Sequence, residues 1–259
     1  MTLSEWFIHY RSVAMHADLS LADWGDPRVF GRGRWADVVD AGRGRVARRY
    51  RDPSLTATYE AEVMRHMRAH GVPVPEVFAV DGPTLVMQRV DGPTMLTDLA
   101  RRPWMLRSHA GTLARLHARV HAVPPADWFR RAHEDGDATV HLDLHPDNVI
   151  LGADGPFIID WQAAGLGSAR MDVALAFTII TTSVVPGAWW QRTAAAFGQN
   201  AFGRLFAARC EERLASSDLE GALRARLNDP ALLPPERLRI EASLARFRAT
   251  TARPRKTLA

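Results

Sequence analysis

The twenty residues from His141 to Asp160 constrain this 259-residue chain more than any other stretch. His141-Leu142-Asp143-Leu144-His145-Pro146-Asp147-Asn148 is dense in carboxylate, amide and imidazole groups. Two short apolar runs follow it, Val149-Ile150-Leu151 and Phe157-Ile158-Ile159. Gly152-Ala153-Asp154-Gly155-Pro156 separates the runs with the composition of a turn, so the block predicts a polar loop leading into a β-hairpin. Asn148 then opens one strand and Asp160 closes the other, both on the same edge.

The spacing carries chemistry. His141, Asp143, Leu144 and Asn148 satisfy H-x-D-L-x-x-x-N, the pattern of a kinase catalytic loop, and Asp160 stands where a second metal-binding aspartate is expected. Moving a γ-phosphoryl group needs an in-line hydroxyl and neutralised charge, so such a site is mostly positioning and electrostatics. Asp143 is the candidate base that accepts the hydroxyl proton. Asn148, through its amide oxygen, and Asp160, through its carboxylate, are candidate ligands for Mg²⁺, which prefers hard oxygens. His141 reads as an architectural residue. A metallohydrolase is the competing reading, because His141, Asp143 and His145 alternate like ligands and His133 is close by. It leaves Asn148, Asp160 and the N-terminal half without a role.

An upstream nucleotide-binding half is expected, and the sequence supplies its parts. Phe30 to Asp40 is glycine-punctuated at Gly31 and Gly33 and runs into Val38-Val39, in the manner of two strands joined by a short phosphate-covering loop. Ala41-Gly42-Arg43-Gly44 is a turn, and Arg45 to Tyr50 predicts a third strand. Alternation puts Val46 and Arg48 on one face and Ala47 and Arg49 on the other. Val46 can cover an adenine while Arg48 reaches phosphates; Arg49 is the rival, and a guanidinium fork suits phosphate in either place. A helix over Leu55 to His70 places Glu60, Met64 and Met67 on one inward stripe, so Glu60 is the candidate to hold the strand arginine, with Glu62 on the polar side. Gly71 to Pro75 ends the helix. Strands are predicted at Glu76–Val80 and Thr84–Val90, bracketed by two copies of Asp-Gly-Pro-Thr read as turns. Met87 to Gly92 is then a hinge whose backbone at Gln88 and Val90 is the candidate contact for the adenine edge.

Taken together, Val-Ala-Arg-Arg (46–49), Glu60, Val-Pro-Val-Pro (72–75), Leu-Val-Met-Gln-Arg-Val-Asp-Gly (85–92), Ala-Arg-Leu-His (114–117), the 141–148 loop and Ile-Ile-Asp-Trp (158–161) resemble the aminoglycoside phosphotransferase and choline kinase-like family. The resemblance spans residues 28 to 178. It implies an α+β, bilobal protein-kinase-like fold: a small antiparallel-sheet lobe over 1–90 that binds ATP, and a larger, mainly helical lobe over 91–259. It further implies ATP and Mg²⁺ as cofactors and a small hydroxylated or amine-bearing substrate. Asp172, in Arg-Met-Asp-Val-Ala, matches a family aspartate that braces the catalytic region, and its place at a helix start reads as N-cap-like.

Departures from the pattern are informative. Leu142 stands where the family has glycine. Trp161-Gln162 replaces Phe-Gly and no Ala-Pro-Glu segment follows, which argues against a phosphorylation-switched loop and a protein substrate. A nucleotide-binding module without transfer activity is disfavoured by the presence of Asp143, Asn148 and Asp160 together.

Composition fits an enzyme of the cytoplasm. A hydrophobic content of 47% supports a substantial core. Met1 to Met15 carries Glu5 and Arg11 and lacks the apolar run of a signal peptide. Val173 to Trp190 is uncharged, but its threonines, Pro186 and Gly187 predict a buried helix rather than a membrane span. Cys210, the single cysteine, excludes an internal disulfide. Residues 161–259 hold 14 lysines and arginines against 8 acids, including a basic tail at Arg253, Arg255 and Lys256. Without an aromatic-basic motif this does not point to nucleic acid, and no obligate protein partner is expected. Helices are predicted at Trp189–Phe202, Arg204–Ala215, Leu219–Leu227 and Pro235–Thr250. In the resembled family such helices form the substrate pocket, to which Trp189 and Trp190 are candidates. A net basic region argues against a polycationic aminoglycoside unless Glu211, Glu212, Asp218 and Glu220 cluster.

Overall fold

Strand β3 (Arg45–Tyr50) lies at the centre of a five-stranded antiparallel sheet, flanked by β2 (Ala36–Gly42) and β5 (Thr84–Gln88), with β1 (Val29–Arg32) and β4 (Val77–Asp81) at the edges. The computed structural model describes residues 29–32, 36–52, 54–132, 135–184, 189–229 and 232–251. Four features named from sequence lie outside these described residues: the Gly33–Trp35 loop, the N-terminal segment before Val29, His133 and the basic tail. So do the side chains of Trp189 and Trp190. On β3 the side chains alternate: Ala47 packs with Val39, Ala41 and Val86 in an apolar cluster, while Arg48, opposite in phase, is buried with charged partners.

Helix α1 (Thr58–Ala69) buries Tyr59, Glu60, Ala61, Val63, Met64 and Met67, so the predicted inward stripe is present and Glu62 stays exposed. The two Asp-Gly-Pro-Thr copies diverge. The first turns β4 into β5 through Gly82-Pro83, with Gly82 at φ +49. The second opens a helix instead: Thr94 accepts the Thr97 N–H at 3.1 Å and caps α2 (Met95–Arg101). The same four residues serve both purposes because a strand sequence follows one and a helix sequence the other.

Residues beyond Gly92 add α3 (Leu106–His121), β6 (Ala138–Val140), the hairpin β7 (Val149–Gly152) and β8 (Gly155–Ile158), and β9 (Gly165–Gly167), which pairs antiparallel with β6. Four helices complete the chain: α4 (Ala169–Thr182), α5 (Trp189–Ala207), α6 (Ser216–Leu227) and α7 (Pro234–Thr251). Two compact units result. One contains the chain to Gly92 together with Gly152–Gln162; the other contains Pro93–Leu151 and everything from Ala163. A single cut near residue 90 does not capture the return of Gly152–Gln162, which is anchored by Ile158 N–H to the Pro73 carbonyl at 2.8 Å.

The expected break at Gly203 does not occur. Helix α5 runs through it, and the helix expected over Arg204–Ala215 is absent, its first residues belonging to α5 and the rest to turns. A β-carbon at Gly203 would lie 2.9 Å from Thr181 Cγ2 and 3.2 Å from Phe177 Cε2. Glycine here lets α5 approach α4 rather than ending a helix. Along α4 the hydroxyls of Thr178, Thr181 and Thr182 donate to carbonyls four residues back at 2.7–2.8 Å, which accommodates polar residues in a buried helix. No described helix is long and apolar enough to cross a membrane. Cys210 is buried, and burial, followed by the charges of Glu212 and Asp172, pushes its thiol up to about 12.

Candidate active site

In the first unit, Arg48 is the centre of a charged cluster. Its Nη1 donates to Glu60 and its Nη2 to Asp160 Oδ1 at 2.7 Å, while the Tyr50 hydroxyl also donates to Glu60. The Trp161 N–H donates to the other Glu60 oxygen at 3.2 Å. Strand alternation delivers Arg48 and Tyr50 to the same face, and α1 delivers Glu60 from its buried stripe. Burial by itself lowers the Arg48 guanidinium, but Glu60 and then Asp160 outweigh it and raise it, so Arg48 stays charged. Burial pushes the Glu60 carboxyl up, opposed by Arg48; the Tyr50 hydroxyl is raised by burial and by Glu60 and remains protonated. Arg49 lies on the opposite face, in register with Asp37 and Thr84, and burial lowers its guanidinium. Of the two candidate arginines, Arg48 is therefore the one beside Glu60 and Asp160. Tyr50 was not singled out from sequence, although its i+2 position from Arg48 contained the signal.

Two details qualify the hinge and the metal position. The Gln88 N–H donates to the Glu76 carbonyl at 2.8 Å, so it is not the group turned toward an adenine edge. Asp160 sits at φ +66 with its side chain 35% exposed. Left-handed backbone costs a non-glycine residue about 1–2 kcal/mol, and Asp160 is held there beside Arg48.

In the second unit, the catalytic-loop residues are fixed mainly through their backbone. Asp172 Oδ1 accepts the Leu142 N–H at 2.6 Å and Oδ2 lies 3.4 Å from the His141 N–H. The N-cap of α4 is Ser168, which accepts from Met171 N, so Asp172 is not a cap; it stands in the first turn and reaches the loop instead. His141 is fully buried and its Nδ1 accepts the Asp143 N–H at 3.3 Å. Asn148 Nδ2 donates to the Asp143 carbonyl at 2.8 Å and to Asp143 Oδ2 at 3.0 Å. Asp143 has 39% of its side chain exposed, whereas Asn148 is buried.

Leu142, the departure from glycine, has φ +63. The Asp172 bond to its N–H fixes the conformation, at a cost of about 1–2 kcal/mol for a side chain with a β-carbon. Leu142→Gly is therefore expected to equal or exceed the parent in thermal stability, and Leu142→Ala, which keeps the strain and loses contacts, to be the less stable of the two by about 1 kcal/mol. Thermal denaturation of the pair decides it; alanine above glycine would show that the strain is absent.

Asp172 also meets two imidazoles from α3. His121 Nε2 lies 2.8 Å from its Oδ2 and His117 Nδ1 3.4 Å from the same oxygen, with Glu212 Oε1 2.8 Å from His121 Nδ1. Burial would lower His121, but hydrogen bonds to Asp172 and Glu212 raise it to about 9, and the two imidazoles hold Asp172 well below the usual carboxylate range against the effect of burial. Neither histidine was singled out as a ligand from sequence, although the His-x-x-x-His spacing of His117 and His121 on one helix contained the signal. The metallohydrolase arrangement is not found among the described residues, which do not include His133. Among the described residues the grouping of possible ligand atoms is His117, His121 and Asp172, not His141, Asp143 and His145.

Comparison with protein families then decides the classification, since the model described as the phosphotransferase enzyme family matches residues 32–138 and 134–211. The chain belongs to this phosphotransferase family. Curated protein sequences give no match. Among solved structures, a choline/ethanolamine kinase family protein from Mesorhizobium loti aligns over 98% of this chain and 96% of its own, with TM-score 0.59 and 16% identity. The aminoglycoside phosphotransferase APH(2'')-Ib, in an ADP-bound form, aligns over 95% and 98%, with TM-score 0.60 and 11% identity. The amicoumacin kinase hAmiN, in complex with AMP-PNP, Ca²⁺ and Ami, aligns over 96% and 95%, with TM-score 0.50 and 14% identity. At these identities the likeness establishes the protein-kinase-like fold of the phosphotransferase, an α+β architecture with a small antiparallel sheet and a helical part.

The helical part of the phosphotransferase contains a cavity of about 480 Å³ whose lining includes Phe177, Thr178, Leu223, Arg239, Ser243 and Arg246 and, among the described residues, no carboxylate. The acidic cluster considered from sequence does not form around it. Glu212 is bonded to His121, Asp218 accepts the Ala215 N–H at the start of α6, and Glu220 pairs with Arg224.

Proposed function

We propose that this phosphotransferase transfers the γ-phosphoryl group of ATP, with Mg²⁺, to a hydroxyl group of a small molecule such as an amino alcohol, sugar or antibiotic. The observation that carries the reading is the Asp143–Asn148 pair: an accessible carboxylate on a loop otherwise fixed by buried groups. Asp143 takes the acceptor's proton as the hydroxyl attacks. Asn148, through its amide oxygen, and Asp160 are the residues that would hold Mg²⁺; their hard oxygen donors fit that ion, and it supplies neutralisation of phosphate charge when bound. With Asp160 Oδ1 on Arg48, Oδ2 is the oxygen assigned to the metal. Arg48, held by Glu60, orients the phosphates, and Val46 covers the adenine. The Gln88 carbonyl and the Val90 backbone are assigned to the adenine edge. Nucleotide in the ADP-bound and AMP-PNP-bound relatives supports the donor class. The absence of a carboxylate from the cavity lining favours an acceptor that is not a polycation.

The test begins with thermal denaturation in ATP, in Mg²⁺, and in both. Stabilisation is expected only with nucleotide and metal together, by about 2.7 kcal/mol at a hundredfold excess over Kd, and Asp160→Ala should abolish the metal-dependent part. A screen of amino alcohols, sugars and aminoglycosides for ATP-dependent phosphorylation follows. Unchanged Mg²⁺ dependence in the Asp160 variant, or no transfer to any hydroxyl compound, would count against the reading.

A further inference from the structure

We propose that His117, His121 and Asp172 form a buried site for a tetrahedral transition-metal ion of the zinc class, distinct from the Mg²⁺ position and located behind the catalytic loop. Their ligand atoms lie within 4.8 Å of one another, and the residues are 1%, 8% and 0% exposed.

The placement of the donor atoms carries the argument. His117 Nε2 lies 3.1 Å from the Leu144 carbonyl, which can only accept, so Nε2 bears the hydrogen. The other ring nitrogen, Nδ1, faces Asp172 Oδ2 at 3.4 Å. Nδ1 is buried without a hydrogen-bond partner. A proton or a metal ion between Nδ1 and Oδ2 would satisfy both atoms, and only a metal ion would also draw in His121 Nε2. His121 turns Nδ1 to Glu212 and Nε2 to the same Asp172 oxygen at 2.8 Å, so the proton shared there is the one a metal ion would displace.

The distances suit one shared ion. Zinc bonds of about 2.0–2.1 Å to nitrogen and 2.0–2.2 Å to oxygen, at a tetrahedral angle, separate ligand atoms by about 3.3 Å. The 3.4 Å separation of His117 Nδ1 from Asp172 Oδ2 matches that value, whereas the 2.8 Å separation of His121 Nε2, a hydrogen-bond distance, has to widen by about 0.5 Å when the ion displaces the proton. The outer contacts also match, because metal-binding imidazoles characteristically donate their remote N–H to a carboxylate or a backbone carbonyl. Glu212 and Leu144 occupy those two places. Asp172 and Glu212 together offset a dication. The imidazole-rich donor set selects zinc over magnesium. Such an ion would tie α3 to α4 at the carboxylate that holds the Leu142 N–H.

The full-length protein, purified from zinc-supplemented cells, is expected to contain about one zinc per chain by elemental analysis. Replacement of the zinc by Co²⁺ should give the intense visible absorption of a tetrahedral centre. His117→Gln and His121→Gln should each lower zinc affinity by at least about tenfold, while His145→Ala retains the metal. The Co²⁺ spectrum of the unsubstituted protein is a readout independent of whether the variants fold. A metal-free protein with no Co²⁺ spectrum and no thermal response to Zn²⁺ would overturn the proposal, and so would zinc retained by both His117→Gln and His121→Gln. None of these readouts uses nucleotide, so the outcome is separate from that of the phosphotransfer reading.

Discussion

Asp143→Asn is expected to lower kcat by about 10²- to 10⁴-fold, the usual contribution of a positioned general base. ATP affinity, read from the nucleotide-dependent thermal shift, should change less than about twofold, because the substitution removes a proton acceptor without removing a phosphate contact. Loop geometry should survive. Asn148 Nδ2 also bonds the Asp143 backbone carbonyl, and the neighbouring N–H of Leu142 is held by Asp172, neither of which depends on the Asp143 carboxylate. The large exposure of that carboxylate makes a folding defect unexpected. Steady-state kinetics on a phosphorylated acceptor make the measurement. Parent-like turnover would remove Asp143 from the role of base and transfer the question to His145.

Arg48→Ala is expected to damage folding and nucleotide use together. It leaves Glu60, 2% exposed, without its cation, and breaking a buried ion pair on one side costs about 3–5 kcal/mol, a large share of the typical 5–15 kcal/mol of a domain. Urea denaturation should show this loss, and the KM for ATP should rise while kcat falls, since a contact that positions the reacting phosphate acts on both. Arg48→Lys should recover only part, because one ammonium cannot reproduce a fork whose two nitrogens separately reach Glu60 and Asp160. Arg49→Ala is the control, expected to be mild. Loss of nucleotide binding in the Arg49 variant with a parent-like Arg48 variant would invalidate the assigned strand phase.

The elements legible in the sequence were those set by short-range rules. Alternation placed β3 at its observed limits and put Arg48 opposite Ala47; helical spacing put Glu60 with Met64 and Met67. The hairpin after Asn148 followed from two apolar runs and a turn composition. Long-range contacts were less accessible. The helices expected over Trp189–Phe202 and Arg204–Ala215 are joined through Gly203, and only the packing of α4 on α5 reveals that a side chain is excluded there. Asp172 looked like a cap by position, whereas its carboxylate reaches a loop thirty residues earlier in the chain. His117 and His121 share one helix, but Glu212 lies 91 residues beyond His121, and no local pattern joins it to them. The fork of Arg48 grips Asp160 through a contact spanning 112 residues, which strand alternation alone cannot anticipate.

The chain's single thiol has a practical consequence. Cys210 is buried and its ionisation is pushed up to about 12, so at neutral pH it presents almost no thiolate to an electrophile. The native protein is thus a nearly silent background for maleimide or spin-label chemistry. A cysteine introduced at an exposed position such as Phe78 or Trp104 would become the one fast-reacting site, and a probe there could follow nucleotide addition without first deleting a native residue.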